Sequence, residues 1–404
     1  MDQRIRRSLA AGAVTSILML TGCAPRYSGP WDLSELKQTP TVEWGQPDGL
    51  VRGLYYSNEP FNGHPTRVFA YYAAPRETKR NAPGMVLVHG GGGKAFREWA
   101  ELWANRGYAA IAMDLAGRGP DGQRLPDGGP DQDHASKFDA VSGGVRQAWT
   151  YHAVAAVIRA HSLLRSLPEV DPSRTGITGI SWGGYLTCIV AGLDSRFKAA
   201  VPVYGCGFLS EDKIWSDLMV KLSPADKTLW IDSYDPSRYL PGCRTPILFV
   251  NGTNDFAYRI DCFQRSYQLV AGPRTVCVTI GMKHSHPDGW APKEIGIFVD
   301  SLLCEGKPLA RFEGVSRQGR TVEARVRSVV PIREAALICT TDSGDWRKRH
   351  WQSLPARLED GGAVVRAQLP VEHGITYFIN VIDERGATVS TEHEQIILES
   401  SNPS

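Results

Sequence analysis

The chain has no dense run of lysine and arginine, no Cys-x-x-Cys pair, no internal repeat and no low-complexity tract. Each absence removes a class of function. Without a basic cluster there is no electrostatic footprint for nucleic acid, and Arg347, Lys348 and Arg349 read as a solvated strand edge. Without paired cysteines a zinc site of that type has no support. Asp127, Asp131, Asp133 and Asp139 lack the spacing of an EF-hand and read as a solvated loop. No metal or other cofactor is expected. What is present is ordinary for a globular protein: 404 residues, 42% apolar, 22% charged, net charge +2. That length suggests two domains.

The first thirty residues read as an export signal rather than as fold. Arg4, Arg6 and Arg7 form a basic head, and the apolar stretch from Leu9 to Leu20 is too short to span a bilayer. Leu20-Thr21-Gly22-Cys23 resembles the lipobox of bacterial lipoproteins. The resemblance implies that residues 1–22 are a signal peptide, that Cys23 carries lipid and that the protein is membrane-anchored. Ala24 resembles the outer-membrane sorting pattern. An exported chain can form disulfides, but seven cysteines remain after Cys23, and an odd count leaves at least one thiol free.

Residues 23–48 read as a linker and N-terminal extension. From residue 49 to 311 strands and helices alternate. Gly49–Ser57 and Thr66–Ala74 look like an antiparallel edge joined at Asn62-Gly63. Gly84–Val88 is a continuous apolar run, as expected of a strand covered on both faces. Further strands are expected at 108–114, 174–180, 197–204, 246–251 and 275–280, and helices at 96–105, 148–166, 185–193, 258–270 and 294–303. This rhythm specifies a mostly parallel sheet with helices on both faces. Two insertions interrupt it. Leu115–Gly144 is rich in Gly, Pro and Asp, and its length suggests a functional or mobile loop. Cys206–Gly242 carries Trp215, Trp230, Tyr234 and Tyr239 and should supply short helices walling a pocket. Residues 312–404 alternate without helical period and read as a small β-sandwich of immunoglobulin or fibronectin type, packed on the rest or binding polysaccharide.

The chemistry is organised around Gly179-Ile180-Ser181-Trp182-Gly183. A serine between glycines, after a strand and before a helix, suits a sharp turn that lifts its hydroxyl out of the fold. A serine nucleophile needs a base, and the base a carboxylate. Asp255 follows the strand at 246–251, and His284 and His286 follow the strand at 275–280, on the same sheet edge. The order Ser, Asp, His suits a triad with His284 as base and His286 as the alternative. His89 and the glycines 90–93 follow the strand at Gly84–Val88. Their amides can converge on one atom, so Gly91 or Gly92, less securely Gly90, would join the Trp182 amide in an oxyanion hole. The tetrad is not a P-loop, because Lys94 is not followed by Ser or Thr. Phe256, Tyr258 and Trp215 are pocket candidates.

Leu87-Val88-His89-Gly90-Gly91-Gly92, the elbow at 179–185, Asn251–Asp255 and Met282-Lys283-His284 together resemble an α/β-hydrolase of the dienelactone hydrolase, acetyl xylan esterase and prolyl-oligopeptidase-like branch. Dienelactone hydrolases use a cysteine nucleophile. The elbow here holds Ser181, which favours ordinary esters. The resemblance implies a serine carboxylic-ester hydrolase deacetylating polysaccharide. A peptidase is the alternative, although the stretch before residue 49 is too short for that family's propeller. A noncatalytic surface-binding lipoprotein is a third class.

Overall fold

A computed structural model describes residues 27–76 and 81–397. The signal segment and Cys23 lie outside the described residues. Nine strands form the central sheet: β1 Val42–Asp48, β2 Val51–Phe61, β3 His64–Ala73, β4 Ala82–Val88, β5 Ala109–Met113, β6 Val170–Ile180, β7 Ala199–Val203, β8 Ile247–Gly252 and β9 Arg274–Thr279. Their spatial order is β1-β2-β3-β5-β4-β6-β7-β8-β9. From β5 to β9 every pairing is parallel, and β1 to β3 add an antiparallel edge. The antiparallel pair turns at Asn62 and Gly63, whose φ values of 52° and 79° match a tight hairpin. β4, β5 and β7 are buried along their whole lengths, as all-apolar strands between helix layers must be.

Residues 27–48 are more than a linker. β1 joins the sheet, and Trp31 and Leu36 enter the core. Trp31 Nε1–H donates to the Tyr151 carbonyl at 2.9 Å, and Glu35 and Glu59 both meet Arg159. These contacts cover the helix Trp149–Ser166, which is buried from Trp149 to Leu164 and cannot stand exposed. Helical periodicity marked that helix but gave no hint of its cover.

The C-terminal part is built of two antiparallel sheets. One contains β10 Arg311–Gln318, β11 Thr321–Arg327, β14 Arg357–Glu359 and β15 Val364–Gln368. The other contains β12 Ile332–Thr340, β13 Gln352–Pro355, β16 Ile375–Asp383, β17 Thr388–Ser390 and β18 Glu394–Ile396. The second sheet closes the exposed edge of β9: Ser390 Oγ accepts from the Val278 amide at 2.8 Å, and Asn380 Nδ2 donates to the Val278 carbonyl at 3.0 Å. An edge strand satisfied in this way is no longer free to pair with another chain. Cys188, Cys206, Cys262, Cys277, Cys304 and Cys339 are free thiols.

The expected solvated strand edge at 347–349 is not what forms. Arg349 is only 6% exposed, and its guanidinium stacks on Trp346 and donates to Thr376 Oγ1 at 3.2 Å. Arg347 turns toward the loop that follows β8, where its Nε donates to the Phe256 carbonyl. Charge composition marked these residues as surface; long-range acceptors in other elements buried Arg349 and partly covered Arg347, while Lys348 stays exposed.

Candidate active site

β6 ends at Ile180 and the helix Trp182–Leu193 begins at Trp182, so Ser181 alone makes the turn. Its φ of 59° and ψ of −117° are strained for a residue with a side chain. Two backbone bonds hold it there: Ser181 N–H donates to the Val203 carbonyl at 2.8 Å, and its carbonyl accepts from Tyr185 N–H at 2.9 Å. The flanking glycines are steric requirements. A Cβ on Gly183 would lie 2.0 Å from the Val88 carbonyl oxygen, and one on Gly179 would lie 2.2 Å from the Gly183 oxygen.

Asp255 leaves β8 buried, with its carboxylate fully engaged. Oδ1 accepts from the amides of Ala257 and Tyr258 at 2.9 and 2.7 Å, and Oδ2 accepts from His284 Nδ1 at 2.6 Å. Since a carboxylate only accepts, Nδ1 carries the proton toward Asp255, and in the corresponding imidazole tautomer Nε2 is the acceptor. The ring is stacked on Tyr204, centroids 4.4 Å apart, and touches Phe256 at 4.7 Å. The Tyr204 hydroxyl donates to the Lys283 carbonyl, tying down the loop that carries the histidine.

His286 is placed differently. Its Nε2 accepts from Gly90 N–H at 2.9 Å, so the nitrogen a base would use is filled. Burial, with smaller contributions from His89 and His284, pushes it down to about 4. His89 braces the same loop: its Nε2 accepts from Leu115 N–H at 2.8 Å, and its Nδ1–H donates to the Gly90 carbonyl at 2.7 Å. Burial likewise holds His89 at about 4. Gly90 N–H is thus spent on His286, and Gly93 N–H donates to the Gly90 carbonyl at 3.2 Å. The tetrad has the Gly91 and Gly92 amides left to offer, beside the first amide of the Trp182 helix, which no residue of that helix can accept.

Ser181, Trp182, Gly91, Gly92, His284 and His286 line one cleft of about 500 Å³. Phe256 and Trp215 line it too, as expected. Trp215 donates from Nε1 to the Ala257 carbonyl at 2.7 Å, clamping the Asp255 loop. Tyr258 is a correction: it is 1% exposed, packed parallel to His284 at 6.4 Å, and does not reach the cleft. The rest of the aromatic insertion, Trp230, Tyr234 and Tyr239, is core.

Residues the sequence did not single out also take part. Gln132 and Lys137 line the cleft from the Leu115–Gly144 insertion; the insertion's length was the signal, and nothing marked the individual positions. Arg347, from the C-terminal sheets, donates from Nε to the Phe256 carbonyl at 2.7 Å and reaches Asp212 with Nη2. Asp212 caps the helix Lys213–Leu218, which carries Trp215. Asn254 Nδ2 completes the clamp by donating to the Arg347 and Arg349 carbonyls at 3.2 and 2.8 Å.

Residues 51–231 match the model of the acetyl xylan esterase family. An acetyl xylan esterase from Paenibacillus sp. R4 superposes with a TM-score of 0.56 at 21% identity, over 67% of this chain and 92% of that one. The fold is that of the α/β-hydrolases, and residues 51–231 are similar to their acetyl xylan esterase family. Acetyl Xylan Esterase 1 from Thermoanaerobacterium sp. JW/SL YS485 shares the hydrolase fold at a TM-score of 0.53 and 16% identity, over 69% and 96% of the two chains. Among curated relatives, an uncharacterised peptidase of Bacillus subtilis is 25% identical over 194 residues, 45% of this chain and 27% of the relative. An acetyl esterase of Xylanibacter ruminicola is 27% identical over 143 residues, 33% and 31% of the two chains. The chain spans about a quarter to a half of the length of the curated relatives it matches.

Proposed function

We propose that this hydrolase is a serine carboxylic-ester hydrolase that removes acetyl groups from carbohydrate esters. The observation that carries the reading is the convergence, in one cleft, of Ser181 on its strained turn and His284 with Nδ1 committed to Asp255. In the proposed reaction His284 Nε2 takes the proton from Ser181 Oγ as Oγ bonds to the ester carbonyl carbon. The resulting oxyanion accepts hydrogen bonds from the Trp182 amide and from Gly91 or Gly92. As it collapses, the C–O bond to the sugar breaks, and the imidazolium returns its proton to the leaving alkoxide. Water, deprotonated by the same nitrogen, then releases acetate from the acyl-enzyme and restores Ser181. His284, rather than His286, is assigned as base because Gly90 already occupies His286 Nε2. The match to the acetyl xylan esterase family supports acetylated polysaccharide as substrate.

The basic head, short apolar stretch and Leu20-Thr21-Gly22-Cys23 support export and lipid attachment at Cys23. Labelled palmitate should enter the wild-type protein and not Cys23→Ala; an unlabelled wild type overturns the anchor.

A peptidase is a second reading, favoured by the 25% identical relative. Hydrolysis of p-nitrophenyl acetate, acetylated xylan and an aminoacyl-nitroanilide by wild type and Ser181→Ala separates the two. Acetate release lost with the serine supports the esterase. Turnover of the anilide alone moves the protein to the peptidases, and ester hydrolysis that survives Ser181→Ala removes the serine mechanism.

A further inference from the structure

The cleft wall formed by residues 132–137 holds a cation that no carboxylate among the described residues pairs with. Lys137 is 5% exposed and lines the cleft with Ser181. Its Nζ lies 4.8 Å from the ring centre of Trp182 and 5.7 Å from that of Trp149. Its backbone is fixed by Trp230, whose Nε1–H donates to the Lys137 carbonyl at 2.7 Å. Two acidic residues act on it without pairing with it. Asp131 is held by Arg118 at 2.9 Å, and Asp133 accepts from the Ser136 amide at 2.7 Å. Burial pushes the Lys137 ammonium down to about 8, against the pull of Asp133 and Asp131. Aromatic faces offset part of the cost of desolvating an ammonium, but only an anion in hydrogen-bond contact offsets most of it.

Beside it in the cleft wall is a polar group with nothing to bond. Gln132 is 8% exposed, and both its amide oxygen and its amide nitrogen lack a partner among the described residues. Leaving such a group buried and unsatisfied costs on the order of 1–3 kcal/mol, which a substrate supplying the missing partners recovers.

We propose that Lys137 and Gln132 form a subsite next to Ser181 for the carboxylate of an acidic sugar, so that the preferred ester is an acetylated uronate. The carboxylate accepts a charge-assisted bond from Lys137 Nζ and a second from Gln132 Nε2, while Gln132 Oε1 accepts from a neighbouring sugar hydroxyl. A single ammonium with Asp133 in the same wall suits a monoanion better than a phosphate dianion. The inference rests on the ester-hydrolase reading and narrows its substrate.

The test compares an acetylated methyl glucuronoside with the same sugar whose carboxylate is converted to the amide. p-Nitrophenyl acetate is the control for the underlying reading: if wild type does not hydrolyse it through Ser181, the esterase proposal fails. If it does, wild type should favour the acid over the amide by about tenfold or more in kcat/KM, chiefly through KM. Lys137→Met keeps the stem and removes the charge, and should bring the acid-to-amide ratio close to one. Lys137→Arg should retain part of the preference, and Gln132→Leu should reduce it. A wild-type ratio near one overturns the subsite, as does a ratio that Lys137→Met leaves intact. Free glucuronate, set against glucose as inhibitor of p-nitrophenyl acetate hydrolysis, provides a readout that needs no variant. Equal inhibition by the two sugars also overturns the subsite.

Discussion

Two histidine–aspartate pairs of nearly identical local geometry lie in different parts of this molecule. In the cleft, His284 Nδ1 meets Asp255 at 2.6 Å; in the core, His161 Nδ1 meets Asp194 at 2.8 Å. The difference lies at the other nitrogen. His161 Nε2 is filled by the Thr175 hydroxyl at 2.9 Å, its ring is stacked on Phe197 at 3.5 Å, and neither partner has any exposed side chain. Asp194 is shared with Arg196. Burial works against the ionised Asp194, yet bonds from Arg196 and His161 outweigh it and hold the group well below the ordinary carboxylate range. His284 instead keeps 12% of its side chain exposed, in the cleft that holds Ser181. A hydrogen-bonded pair therefore does not by itself mark a site; what sets the His284 pair apart is a ring that lines the cleft holding Ser181.

The comparison can be broken by mutation, and the largest effects belong to the cleft. Ser181→Ala and His284→Ala should each lower kcat by about 10⁴- to 10⁶-fold in ester turnover, with Tm nearly unchanged. Asp255→Asn should cost about 10³- to 10⁴-fold, because the amide can hold the wrong imidazole tautomer. His161→Ala should reverse the pattern. It removes one member of a buried network and should destabilise by about 3 kcal/mol in denaturant unfolding, while kcat of the folded protein stays within a few-fold. A His161→Ala protein with native stability and no turnover would erase the distinction. Arg347→Ala should fall between these cases, lowering kcat by about tenfold through the loosened Phe256 loop, with a smaller loss of Tm. The smallest effect is on pH dependence. His161 and His89 are both held at about 4, mainly by burial, against an ordinary value of 6.5. The unfolded chain therefore takes up protons first, so their contribution is complete above about 6.5 and lost as pH falls toward 4. Unfolding midpoints measured at pH 7.5, 6 and 5 should fall in that order.

Local constraint explains why so much of the catalytic edge was legible. The elbow at 179–184 is dictated by backbone approaches so close that a Cβ on Gly183 would lie 2.0 Å from the Val88 oxygen, and such positions leave a mark in one short stretch of chain. The buried strands β4, β5 and β7 are marked by continuous apolar runs. Tyr204, Lys137, Gln132 and Arg347 left no such mark. Each acts across a long separation in sequence, as when Arg347 meets the carbonyl of Phe256. Nor could spacing separate His284 from His286, two residues apart on one loop; only their partners, Asp255 for one and Gly90 for the other, do so.

The sequence by itself therefore determined the alternation of strands and helices, the strained serine turn, the glycine tetrad and the order of serine, aspartate and histidine. Periodicity and steric exclusion act between near neighbours, so a linear reading suffices for them. The tertiary structure decided which histidine keeps a free nitrogen, that Tyr258 is packing and not pocket, and that the C-terminal sheets brace the loop of Asp255. These outcomes depend on which hydrogen-bond partners and aromatic faces the folded chain brings within a few ångströms, and no local pattern encodes them.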